Sequence, residues 1–284
     1  MGNGSIYALL ALGFVIVYKS MRVISFAQPG FMLAGAVIVT YLSAEVGFWA
    51  AAVLSVLAVS LLALGVERVA IRPMVGRPVF AIAIITLGLD VVIRVVANGF
   101  IGLDVRQVGD PWKLDTVSVL GVEVQQRYLA MFAAALLMVA ALFLFFRYTR
   151  FGLAMRAASF DQEAALAQGV SVSGVFAVSW AMAGGLAAVA GIMFGAGTSI
   201  DQNIWIIALK ALPAIILGGL DSLAGAVAGG LAIGLFESLV SSYQSDHLPW
   251  LGENFATVSP YVLMLAVLLL RPYGLFGTRE VERV

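Results

Sequence analysis

Apolar residues in this chain run in long blocks separated by short polar breaks, and the block lengths suit a bilayer. A helix rising 1.5 Å per residue needs about 20 residues to cross about 30 Å of hydrocarbon. Blocks at residues 5–18, 30–43, 47–66, 79–97, 128–146, 173–197, 204–220, 224–241 and 257–270 approach or reach that length. The first, second and last are short, so the pattern predicts an all-α polytopic membrane protein with eight or nine crossings and some broken or kinked helices. It reads as one transmembrane domain over residues 1–284, with longer polar segments at 98–127, 147–170 and 271–284.

Composition sharpens the picture. Hydrophobic residues make up 62% and charged residues 11%, and 284 residues share sixteen basic and sixteen acidic side chains. A soluble domain of this length exposes far more charge, so the lipid bilayer is the expected surrounding. A formal net charge of zero argues against nucleic-acid binding, which needs a clustered basic face. Cysteine is absent, so no disulfide framework or thiol chemistry is expected. The single histidine, His247, lacks the several carboxylate neighbours a metal site would require. Met1 leads almost directly into apolar sequence with no basic n-region or small-residue cleavage site, and Ile6 stands where a myristoylation signal has Ser or Thr. Neither a removable signal peptide nor that lipid anchor is expected.

The few basic residues predict orientation, because short cytoplasmic loops carry an excess of Lys and Arg. Lys19 and Arg22 follow the first block, Arg68, Arg72 and Arg77 the third, Arg147, Arg150 and Arg156 the fifth, and Arg271, Arg279 and Arg283 close the chain. With alternating crossings all fall on one side. The opposite loops hold Glu45; Asp104, Asp110, Asp115 and Glu123 beside Arg106, Lys113 and Arg127; Asp201; and Asp246 and Glu253. The N-terminus and residues 98–127 are therefore expected outside, and residues 147–170 and the 271–284 tail in the cytoplasm.

Within the blocks, several residues admit two readings each. Trp112, Trp205 and Trp250 lie near predicted outer boundaries, as interfacial anchors or as ligand-stacking rings. Gly191 with Gly195, Gly225 with Gly229, and Gly230 with Gly234 have the one-turn spacing that lets helices approach closely, within a protomer or between two. Pro29, in Gln28-Pro29-Gly30, breaks the second block and Pro213 the seventh; each either lines a translocation path or kinks a helix. Asp90 and Arg94 stand i, i+4 in the fourth block, and each alone at the bilayer centre would cost about 2.5–3.5 kcal/mol. They form a structural pair or belong to a path. Lys210 and Glu237, in the seventh and eighth blocks, can face one another or snorkel to an interface.

Catalytic signatures are missing: the chain has no Gly-x-Ser-x-Gly, no His-Glu-x-x-His and no Gly-Lys-Ser/Thr. Uphill transport would then draw on an ion gradient or on a separate subunit. An ion-coupled secondary transporter or channel for a small polar solute would use Asp90, Arg94, Lys210 and Glu237. An integral-membrane enzyme would need a polar cluster at one interface, which the sequence lacks. A subunit driven from outside would use the polar island at 147–169. There Arg150-Phe-Gly-x-x-x-Arg156-Ala-Ala is basic and helix-compatible, Asp161 can cap a second helix with Gln162 and Glu163 in its first turn, and Gly169 can end that helix in a left-handed conformation. Small Ala164 and Ala165 would let it seat in a partner's groove; the plainer alternative is a solvated loop.

Over nearly its whole length the chain resembles the permease subunits of branched-chain amino-acid (Liv-type) ABC importers. The matching blocks are Gly4-Ser-Ile-Tyr-Ala-Leu-Leu-Ala-Leu-Gly13 with Val17-Tyr18, Ile24-Ser-Phe-Ala27, Thr86-Leu-Gly-Leu89, Thr149-Arg-Phe-Gly152 with Arg156-Ala157, Gly184-Gly-Leu-Ala-Ala-Val-Ala-Gly191, Leu217-Gly-Gly-Leu-Asp-Ser222, Gly234-x-x-Glu237 and Leu270-Arg-Pro-Tyr-Gly-Leu-Phe-Gly277. The Ser-Phe-Ala block is similar to the H-type permease. The resemblance implies that Glu163-Ala164-Ala165-x-x-x-Gly169 is a coupling helix docking on a cytoplasmic ATP-binding subunit that uses ATP and Mg, with no cofactor in this chain itself. It also implies a second, M-like permease and an extracytoplasmic solute-binding protein as partners, in a bacterial inner membrane. Gln28-Pro29-Gly30 stands where the family has His-Gly-Glu, and Asp221 replaces a common Gly, which bears on the substrate.

Overall fold

In lipid, every backbone N–H and C=O must find its partner within the protein, and a helix meets that demand locally. The computed structural model accordingly folds the apolar blocks as helices. It describes residues 2–102, 106–109, 111–112, 115–119, 121–196, 198–247, 250, 252 and 254–277. The helices are α1 (Gly2–Met21), α2 (Gln28–Val46), α3 (Phe48–Val66), α4 (Val79–Ile101), α5 (Gln126–Tyr148), α6 (Arg150–Phe160), α7 (Gln162–Ala167), α8 (Val172–Gly195), α9 (Trp205–Leu209), α10 (Ala211–Gly218), α11 (Leu223–His247) and α12 (Phe255–Leu270). A π-helical turn, Glu67–Ile71, and a 3-10 turn, Arg72–Met74, extend α3.

Among the described residues seven helices are long and apolar enough to cross a membrane: α1, α2, α3 with its extension, α4, α5, α8 and α11. Two shorter apolar stretches, Trp205–Gly218 and Phe255–Leu270, occupy the seventh and ninth predicted blocks. The first and second blocks, expected to be short, are full helices of 20 and 19 residues. The seventh falls short even taken whole, as Trp205–Gly218, and it divides at Lys210 into α9 and α10. Two small antiparallel ladders, absent from the sequence expectation, lie outside the helices: β1 (Arg106–Gln107) pairs with β4 (Ser199–Ile200), and β2 (Thr116–Val119) with β3 (Val122–Gln125).

α1 is the axis of the bundle, packed against α8, α11 and α5, and nearly every face of it is buried, whereas α5 turns most of its surface outward. Close approach of backbones makes the contacts. A Cβ on Gly191 would fall 2.1 Å from the Met32 carbonyl oxygen, and one on Gly230 would fall 2.4 Å from the Ala8 nitrogen. Small residues here replace the hydrophobic drive that lipid does not supply between helices. Gly225 and Gly229 likewise face Gly218 and Ala214, and Gly234 faces Gly4. The one-turn glycine pairs thus pack within the chain.

The loops carrying the predicted cytoplasmic charges gather at one end. Lys19 Nζ donates to the Asp221 carbonyl at 3.2 Å, Arg22 Nη2 to that of Ser159 at 3.1 Å, and Gln162 Nε2 to that of Ser20 at 3.3 Å. Arg72 Nη2 donates to the Ser173 carbonyl, and the Leu275 N–H to that of Leu217. We call this the basic end. At the other end Trp112 packs edge-on against Phe48 and Trp49. Asp104, Asp110, Lys113, Glu253, Arg279 and Arg283 lie outside the described residues, as do the side chains of Arg106 and Asp246.

Candidate coupling segment and membrane-embedded ion pairs

α2 begins inside the bundle rather than at its surface. The Phe26 N–H donates to Thr86 Oγ1 at 3.0 Å and the Gly30 N–H donates to Asp90 Oδ1 at 2.7 Å, which sets the start of α2 against the middle of α4. The first turn of a helix has donors with no intrahelical partner. Ala27 at the N-cap offers no side-chain acceptor. Pro29 removes one donor outright, and Asp90 supplies a carboxylate cap from another helix.

The second oxygen of Asp90 accepts from Arg94 Nε at 2.7 Å, so the i, i+4 pair forms, with the two side chains 7% and 20% exposed. The Arg94 guanidinium also lies 3.9 Å from the ring centroid of Trp205. Trp205 is thus a cation–π partner at the start of α9 rather than a simple interfacial anchor. Gln28 is fully buried without any local signal for it, and among the described residues its side-chain oxygen and nitrogen have no hydrogen-bond partner.

Lys210 and Glu237 meet as well. The Lys210 ammonium donates to Glu237 Oε1, and the Tyr7 hydroxyl donates to Glu237 Oε2 at 2.6 Å, joining α1, the α9–α10 break and α11. The two side chains are 11% and 14% exposed and turn toward one another rather than snorkelling to an interface. Pro213 occupies the first turn of α10, so neither predicted proline kinks a helix; each helps to begin one. Pro260 lies inside α12. A third pair went unnoticed in the sequence: fully buried Glu67 receives Nε and Nη2 of Arg72 at 3.2 and 3.1 Å, within the π-helical extension of α3.

The polar island folds as two short helices at the basic end. Thr149 Oγ1 caps α6 by accepting from the Gly152 N–H at 3.1 Å, and Asp161 Oδ1 caps α7 by accepting from the Ala164 N–H at 3.0 Å. α7 closes in a Schellman motif. The Val170 N–H bonds the Ala165 carbonyl, the Gly169 N–H bonds the Leu166 carbonyl, and Gly169 has φ +79°. Glu163, Ala164 and Gly169 are exposed, but Ala165 is buried against the protein. Its small size therefore serves internal packing. Arg156 is exposed and donates through Nη1 to the Phe146 carbonyl, clamping α6 on the end of α5. Two residues the sequence reading passed over are displayed instead: Phe160, 91% exposed, and Leu166, 57% exposed.

Seven span-length apolar helices among the described residues, with ion pairs enclosed between them and a short helical segment displayed at one end, define a polytopic membrane protein. Residues 1–270 match the family described as branched-chain amino acid transport system / permease component, and the chain belongs to that family. It is 29% identical over 303 residues to the high-affinity branched-chain amino acid transport system permease protein LivH of Salmonella typhimurium, covering 99% of this chain and 94% of that protein. It is 29% identical over 299 residues to BraD of Pseudomonas aeruginosa, described in the same terms, with the same coverage. Among solved structures, PsaBC from Streptococcus pneumoniae in complex with Fab aligns over 95% of this chain and 91% of that chain at 14% identity and a TM-score of 0.47, a distant likeness.

Proposed function

We propose that this chain is one transmembrane half of an ATP-driven importer for branched-chain or related amino acids, with its basic end in the cytoplasm. The names of its relatives support the substrate class, and the loop charges support the orientation. The observation that carries the coupling role is the display of Phe160 and Leu166 beside Glu163 and Gly169. Apolar side chains held out at a polar end form a surface for a protein partner. That partner is a cytoplasmic ATP-binding subunit, which uses the ATP and Mg; a second permease subunit completes the path and an extracytoplasmic solute-binding protein delivers cargo.

Force has a route inward. Arg22 and Gln162 tie α6–α7 to the end of α1, and six residues further on α2 begins under the Asp90 cap. Movement of the docked segment thus bears on the helix starts flanked by Asp90–Arg94 and Lys210–Glu237, the groups we place along the path. Paired Phe160→Asp and Leu166→Asp changes test the role. Loss of two interface anchors at about 2 kcal/mol each weakens docking by roughly 1000-fold. Co-purification of the ATPase and ATP-dependent uptake should both disappear while membrane insertion persists; unchanged uptake overturns the assignment.

A further inference from the structure

At the basic end, where α1, α5 and α6 meet the start of α11, lies a cavity of about 300 Å³. Lys19, Arg147 and Arg156 line it, over a floor that includes Phe143, Phe146 and Leu223. Arg147 and Arg156 have no salt-bridge partner among the described residues, and both are exposed. Arg156 spends one nitrogen on the Phe146 carbonyl, which orients the guanidinium and leaves its other donors available. Lys19 is positioned by the Asp221 carbonyl. The other charges close to Lys19 are the Asp221 carboxylate and the cations of Arg22 and Arg156, so the surroundings stay net positive.

We propose that this cavity binds the headgroup of an anionic phospholipid. Guanidinium groups suit a phosphodiester because their planar fork matches its oxygens, and basic pockets between helices at the membrane edge select anionic lipids. The apolar floor favours a lipid over free phosphate. It continues onto the outward face of α5, where Leu136, Leu137, Phe143 and Leu144 are 60%, 65%, 61% and 54% exposed. A glycerophospholipid fills both parts at once, phosphate among the cations and acyl chain along α5; inorganic phosphate would leave the floor bare. The site is separate from the displayed face of α7, and the inference does not depend on which solute is carried.

The test uses the full chain reconstituted in nanodiscs of equal parts phosphatidylglycerol and phosphatidylcholine, with lipid retained on this chain counted by native mass spectrometry. Three cations at about a five-fold gain each should favour the anionic lipid by roughly 100-fold. Arg147→Gln should reduce its retention about five-fold. Arg77→Gln, a basic-end residue outside the cavity, should leave it unchanged. Equal retention of the two lipids overturns the proposal without recourse to any variant. So does retention that Arg147→Gln does not lower, that Arg77→Gln lowers equally, or that millimolar inorganic phosphate abolishes.

Discussion

α2 and α10 both begin inside the apolar layer, and both carry a proline in the first turn; at Pro29 the missing N–H would have lacked an intrahelical partner anyway, whereas Pro213 follows on the preceding turn of α9. Their remaining needs are met differently. α2 starts afresh after an irregular segment and takes a charged cap from Asp90, sixty positions along the chain. α10 continues almost directly from α9, with Lys210 in helical conformation between them, and the nearby charge pair joins side chains to one another rather than to the helix end. A carboxylate beside a helix start therefore does two jobs at α2 and one at α10. Removing it should cost more at α2.

Asp90→Ala gives the largest expected effect: it strands Arg94 and uncaps Gly30, and breaking a buried pair costs about 3–5 kcal/mol. Thermal unfolding of the purified chain in detergent measures this. Adding Arg94→Leu should recover only part of the loss, because the Gly30 N–H stays without its acceptor. Full recovery would reduce Asp90 to a simple pair and erase the contrast with α10. Glu237→Gln removes the charge and keeps one acceptor oxygen, for Lys210 or for Tyr7 but not for both, so about 1.5–3 kcal/mol is expected in the same assay. A loss equal to that of Asp90→Ala would show that the two starts depend on charge alike. Smallest is Tyr7→Phe, which takes one hydrogen bond from a carboxylate that keeps Lys210 and should cost about 1.5 kcal/mol, the low end for a bond to a charged group. A larger loss would make Tyr7 the centre of that network.

Much of this is legible in the sequence. Glycine and capping residues mark backbone requirements that hold in any surroundings, so the Gly169 terminus is legible, and the i, i+4 rule joins Asp90 to Arg94; Pro29 and Pro213 are legible as interruptions, but not as helix starts. The short α7 helix followed from Asp161 and Gly169 together. What stayed hidden depends on neighbours distant in sequence. Hydropathy cannot separate positions facing lipid from those facing protein, because both are apolar. It gave α1 and α5 the same character although one is enclosed and the other is peripheral. For the same reason the Asp90 cap on Gly30, the Tyr7 contact with Glu237 and the enclosure of Gln28 had no local signal. Ala165 and Ala164 look alike in sequence, and only the turn of α7 decides that one faces inward. Phe160 and Leu166 were passed over because apolar residues invite a core reading, and display is a property of the finished surface.

The enclosure of α1 has a consequence for how the chain is made. α1 leaves the ribosome well ahead of α8 and α11, which cover it and emerge more than 150 residues later. Until then its Gly4 and Ala8 surface must wait against lipid tails or against the insertion machinery, and the bundle closes only when the last third of the polypeptide arrives. Truncation before α11 should leave a chain that inserts but never locks, a natural substrate for quality-control proteases.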